Sequence, residues 1–133
     1  MVVVAWDPAL ALGHAEIDAQ HQEIFRRFAA LVAAMESGDA ADVAALFEFL
    51  AGYAAKHFAA EEQVMARASY PGANVHAAAH ARFVRELAEL RALYEGSGAS
   101  SGVVVKARTW IDDWLRAHIM GVDQGLARFL LGR

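Results

Sequence analysis

The stretch SYPGANVHAAAHARF, residues 69–83, holds a helix stop, a helix start and a pair of potential metal ligands. Pro71 and Gly72 cannot continue a hydrogen-bonded helical ladder, so a preceding helix must end at Ser69–Tyr70. Asn74 is predicted to cap a new helix, and the alanines that follow favour it on propensity. His76 and His80 interrupt those alanines four positions apart. At about 100° per residue they lie on one helix face, one turn apart, a spacing that two ligands of one metal ion can use. An isolated pair of this kind is more often structural than metal-binding, so the decision rests on what the rest of the chain supplies.

Working outward, the same punctuation recurs. Asp18 is predicted to cap a first helix carrying Ile24, Phe25, Phe28, Leu31, Val32 and Met35 at spacings of three and four, which stops at Gly38. Asp39 caps a second, with Val43, Leu46, Phe47, Leu50, Tyr53, Ala54, Phe58 and Met65 on its apolar side. The third turns Phe83, Val84, Leu87, Leu90 and Tyr94 inward, and GSGASSG at 96–102 links it to a fourth. The predicted helices span about 18–37, 40–68, 75–95 and 103–130, with a break near Gly121, after a non-helical arm over about 1–17. Four long helices joined by short loops read as an all-α, antiparallel, up-down-up-down four-helix bundle forming one domain over 1–133.

Composition narrows the function. The chain has 133 residues, 57% of them hydrophobic, with 31 alanines and 2 prolines, enough for a helical core. A net charge of −4 without a basic stripe argues against a nucleic-acid partner. The absence of cysteine excludes disulfides, iron–sulfur clusters and thiolate zinc sites. No run of about 18 uncharged apolar residues could span a bilayer and no leader pattern is visible, so no membrane partner and a soluble, cytoplasmic protein are expected.

In such a bundle the starts of helices one and three and the ends of helices two and four share one end of the molecule. His21, His57, Glu61, His76, His80, His118 and Asp123 therefore converge on one layer. Five imidazoles and two carboxylates exceed what one ion takes, since zinc commonly has four ligands. If Glu61, Asp123 and a solvent oxygen bridge two octahedral ions, three histidines fill one and two leave the other five-coordinate. Such a His- and carboxylate-rich pair suits iron or manganese, and its open position suits a diatomic or a small anion. The five-residue step from His118 to Asp123 is not helical spacing, so a bend or bulge at Gly121 is expected to turn the carboxylate inward.

The segments IDAQHQEIF (17–25), HFAAEEQVM (57–65), YPGANVHAAAHARF (70–83) and WLRAHIMGVD (114–123) resemble the single-domain bacterial hemerythrins in residue type and internal spacing. The resemblance implies a non-haem di-iron centre (Fe2+/Fe3+) with an oxo or hydroxo bridge, binding O2 reversibly and end-on at a five-coordinate iron. By motif position His76, His80 and His118 would hold the filled iron, His21 and His57 the open one, and Glu61 and Asp123 would bridge. An apolar O2 pocket would be formed by Ile24, Phe58, Trp114, Leu115 and Ile119. Azide or other small anions would bind the ferric form, and an O2-consuming enzyme is a conceivable partner. Two positions depart from the pattern: His14 stands where an apolar residue is usual and is left out of the metal set, and Leu126 replaces a tyrosine that commonly follows the bridging aspartate. Glu62 and Asp112 are read as solvated.

Two further classes compete with O2 carriage. A di-iron oxidase or peroxidase usually has a bundle site richer in carboxylates. An O2- or iron-sensing module generally needs an output partner. Five imidazoles against two carboxylates favour carriage, a binding function and not an enzyme.

Overall fold

The computed structural model describes residues 6, 8–13, 15–98 and 101–132; His14 and part of the 96–102 linker lie outside them. A single 3-10 turn at Pro8–Leu10 precedes α1 (Ala15–Ser37), α2 (Ala40–Ala68), α3 (Ala73–Ser97) and α4 (Ser101–Ala117). The last of these runs through a π-helical turn, His118–Asp123, directly into α5 (Gln124–Leu131). α1 packs against α2 and α4, and α3 packs against the same two, so the architecture is an all-α four-helix bundle. No helix of the described residues is long and apolar enough to cross a membrane.

Local chemistry explains the joints. Gly38 takes φ +78°, a conformation costly to any residue with a Cβ, and closes α1 with Gly38 N–H donating to the Met35 carbonyl and Asp39 N–H to that of Ala34. The Asp39 carboxylate then caps α2 by accepting from Asp42 N–H at 3.0 Å. α2 ends at Ser69, which adopts the left-handed conformation just before Tyr70–Pro71.

Several boundaries differ from expectation. α1 begins at Ala15, so Asp18 is not its cap; the Asp18 carboxylate accepts the Leu12 backbone N–H at 2.9 Å and ties the arm to the helix instead. His21 consequently sits a turn deeper than expected. α3 begins at Ala73 with Gly72 at its N-cap and no side-chain cap, so Asn74 lies inside the first turn. α3 and α4 also extend into the predicted linker, to Ser97 and from Ser101.

The core is the expected set of stripes: Phe25, Phe28, Leu31 and Met35 from α1, Phe47 and Leu50 from α2, Phe83, Leu87 and Leu90 from α3, and Ala107, Ile111 and Leu115 from α4. Tyr53 and Tyr94 are only partly buried, and Val84 is 47% exposed rather than inward-facing. The inward face of α3 follows His76, His80, Phe83, Leu87 and Leu90, and Val84 stands on its flank. Leu126, in the tyrosine-like position, is an ordinary buried residue.

Candidate metal centre

At one end of this core seven ionisable side chains are buried together: His21, His57, Glu61, His76, His80, His118 and Asp123, each no more than 6% exposed. α1 supplies the first, α2 the next two, α3 the histidine pair, and the π-helical turn both His118 and Asp123. That turn explains the five-residue step. A π-helix closes its hydrogen bonds at i→i+5, so residues five apart return to nearly the same face. His118 Nε2 accordingly lies 3.0 Å from Asp123 Oδ1.

The remaining distances knit the layer. His76 Nε2 is 2.9 Å from Asp123 Oδ1 and 3.7 Å from Glu61 Oε1; His80 Nε2 is 3.1 Å and His57 Nε2 3.3 Å from the same Glu61 oxygen; His21 Nε2 is 3.0 Å from Asp123 Oδ2. The ligand-type atoms form two groups that share Glu61: Glu61, His76, His80, His118 and Asp123 in one, His21, His57 and Glu61 in the other. Close as they are, Nε2 of His21, His76, His80 and His118 and all four carboxylate oxygens of Glu61 and Asp123 lack a hydrogen bond. Buried polar atoms left without partners cost about 1–3 kcal/mol each, more when charged. A cluster of such atoms converging on common space fits divalent or trivalent cations, and its imidazole and carboxylate chemistry is that of iron, manganese or zinc.

Electrostatics point the same way. Burial pushes the His57 imidazole down to about 4, against the raising influence of Glu61, so it is a neutral donor. For Glu61 burial acts upward, but His76 and His80 outweigh it and bring the carboxyl down to about 2. Asp123 is likewise held well below its ordinary range, with His118, His21 and His76 overcoming desolvation. Burial would lower His76, yet Asp123 and Glu61 raise it to about 9, so without metal it carries a proton that a cation would displace. Both carboxylates are therefore anionic across the physiological range.

Outer contacts aim the rings. His57 Nδ1–H donates to Gln20 Oε1, and His80 Nδ1–H to Glu62 Oε2 at 3.2 Å, which turns both Nε2 lone pairs inward. Glu62 is thus not merely solvated, although its side chain is 44% exposed, and Asp112 is paired with Arg116 at 2.8 Å. Neither the Gln20 nor the Glu62 contact was legible in the sequence, because each joins side chains from different helices. Phe58 stacks on His80 with ring centroids 3.9 Å apart and Trp114 on His118 at 4.4 Å. Replacing Glu62 with alanine should weaken metal binding by about tenfold, whereas glutamine, which still accepts a hydrogen bond, should retain most of the affinity. Competitive chelator titration of the two variants reads this directly.

Beside the layer lies a void of about 10 Å³, the threshold for one water, whose walls include Ile24, Phe58, Trp114, Leu115 and Ile119 together with His21, His57 and His118. All five expected pocket residues line it; Phe83 is a wall residue that sequence reading missed. Trp114 is half-buried, the other four fully so.

The family profile described as "Hemerythrin HHE cation binding domain" matches residues 12–130. The chain is 32% identical to a bacteriohemerythrin of Stenotrophomonas maltophilia over 127 residues, covering 96% of this chain and 81% of that one. It is 28% identical to a myohemerythrin of Riftia pachyptila, with 89% and 86% coverage. A crystal structure of a leucine-to-phenylalanine mutant superposes with a TM-score of 0.84 at 25% identity over 98% of both chains.

Proposed function

The chain belongs to the hemerythrin family, and from that premise we propose that it binds O2 reversibly, for carriage, storage or delivery, at a non-haem di-iron centre. His76, His80 and His118 would hold one iron, His21 and His57 the other, with Glu61 and Asp123 between them. The observation that carries this reading is the pair of buried donor groups that share Glu61, most of whose inward-facing nitrogens and oxygens lack a hydrogen bond, beside a void with room for about one water. The second group has one histidine fewer, two against three, and that side is where a small ligand would find an open position.

When bound, the iron pair supplies redox-active cations able to exchange electron density with O2. The chain's own side chains do the rest. Gln20 and Glu62 hold the tautomers of His57 and His80 so that Nε2 faces inward. Phe58 and Trp114 fix ring planes by stacking, while Ile24, Leu115 and Ile119 keep water and protons away from the void. O2 is apolar and crosses such a wall readily, whereas superoxide or peroxide, being charged, leaves slowly. Five imidazoles against two carboxylates support carriage over oxidase chemistry.

Purified protein should contain two irons per chain. After anaerobic reduction, air should bring up a visible charge-transfer band that vacuum removes, over repeated cycles. A single zinc with no iron uptake, or steady NADH- or ascorbate-driven O2 consumption well above spontaneous oxidation, would overturn the reading.

A further inference from the structure

Two of the ligand rings are held from outside by side-chain acceptors, and the acceptors differ in charge. In each case a residue next to one ligand in sequence reaches a ligand on another helix. Gln20, which precedes His21 on α1, accepts through Oε1 from His57 Nδ1–H on α2. Glu62, which follows Glu61 on α2, accepts from His80 Nδ1–H on α3 at 3.2 Å. The Nδ1 atoms of His21 and His76 have no hydrogen bond. The group of His21, His57 and Glu61 is thus anchored by a neutral amide, and the group holding His76, His80 and His118 by a carboxylate. Neither space nor burial dictates the amide. Gln20 and His57 line a surface cleft of about 330 Å³ whose walls also carry Glu16 and Lys56, of opposite sign, so a glutamate of the same length would fit there and stay hydrated.

We propose that this placement of charge polarises the metal centre: Glu62 makes the three-histidine iron the richer in electrons, while the neutral Gln20 keeps the two-histidine iron, where O2 would bind, electron-poor enough to give O2 back unreduced. The inference rests on the di-iron reading above and makes Gln20 a positioning residue that acts through His57. An imidazole that donates to a carboxylate gives up more of its Nδ1 proton, becomes a more basic ligand and favours the higher oxidation state of its metal. An amide acceptor orients the ring equally well and draws far less on the proton. The oxidation held back in this way moves one electron from each ferrous ion to O2, which takes two protons from solvent and leaves as hydrogen peroxide. Orientation is therefore supplied on both sides, and charge on one.

Three variants test the placement: Gln20→Glu, Glu62→Gln, and the double exchange, which keeps both the total charge and both hydrogen bonds. In air, iron-loaded Gln20→Glu protein should turn ferric at least about tenfold faster than the parent, an effect of the size usual for such outer partners, and its midpoint potential should fall. Azide, which favours an electron-poor ferric ion, should bind it about tenfold more weakly. Glu62→Gln should oxidise no faster than the parent. The double exchange separates placement from net charge: it should oxidise nearly as fast as Gln20→Glu. A return to the parent's rate overturns the proposal, as does an unchanged rate in Gln20→Glu. The metal-free protein provides a second readout. With isotope-labelled histidine, the His57 Nδ1–H resonance should be protected from solvent exchange, move downfield in Gln20→Glu and be lost to exchange in Gln20→Ala; its absence from the parent overturns the proposal before any iron is added. Failure to take up iron defeats the di-iron reading and the proposal with it, whereas equal oxidation rates at matched iron loading defeat the polarisation alone.

Discussion

His80→Ala is expected to lose most bound iron and to lower the melting temperature of iron-loaded protein by at least about 15 °C. Three consequences of one truncation combine. The ring that faces Glu61 Oε1 at 3.1 Å disappears, leaving a buried carboxylate with one fewer partner; breaking a buried pair costs about 3–5 kcal/mol. The stacking of His80 on Phe58 at 3.9 Å is lost as well. Above all, a cation that binds only the folded chain stabilises it by mass action, about 4 kcal/mol when free metal is a thousand times its dissociation constant. At about 4 °C per kcal/mol for a domain of this size, that contribution alone amounts to about 15 °C. Iron analysis and thermal melts with and without added ferrous iron separate the contributions: the metal-dependent part should be large in the parent protein and nearly absent in the variant. A His80→Ala protein that keeps two irons and melts within about 2 °C of the parent would remove His80 from the ligand set.

Leu115→Ala and Leu115→Thr are expected to shorten the half-life of the O2-loaded protein by about tenfold, which corresponds to about 1.4 kcal/mol of barrier, without loss of iron. Leu115 is 3% exposed and stands in the wall of the void three residues before His118, on nearly the same face of α4. The void as it stands holds at most one water. Truncation to alanine opens room for more water, and threonine brings a hydroxyl that both donates a hydrogen bond and anchors water. Either change lowers the cost of charge separation for an anionic, reduced form of O2 that would leave with one electron (superoxide) or two (peroxide) from the iron pair, and azide should accelerate the decay by binding the oxidised centre that would remain. The alanine variant should also lose about 2–5 kcal/mol of stability, the usual cost of a buried leucine truncation, which leaves the bundle folded. The measurement is the decay of the visible band after air exposure at matched iron loading. Equal half-lives in all three proteins would make Leu115 an ordinary core residue and leave retention of O2 to the ligands alone.

The stripes of Phe25, Phe28, Leu31 and Met35, of Phe47 and Leu50, and of Phe83, Leu87 and Leu90 are legible in the amino-acid order because a helix repeats its own face every three to four residues. So are the joints at Gly38–Asp39 and Ser69–Pro71, which follow from local backbone chemistry. Given stripes and joints, the antiparallel bundle is determined, and with it the fact that seven distant ligand-type residues share one end. What the order of residues could not decide is everything that depends on how one helix is rotated and shifted against another. The Gln20–His57 and Glu62–His80 hydrogen bonds, the half-exposed edge of Trp114, the outward turn of Val84 and the width of the void belong to that class. Asp18 and Asn74 show the same limit at shorter range: both are good caps by residue type, but Asp18 is taken by Leu12 N–H and Asn74 lies inside a helix that starts at Ala73. The inward turn of Asp123 lies between the two cases. The step from His118 demanded a bend, and only the packed fourth helix decided that the bend would be a π-helical turn, because burying both side chains at one layer outweighs the poorer geometry of i→i+5 hydrogen bonds.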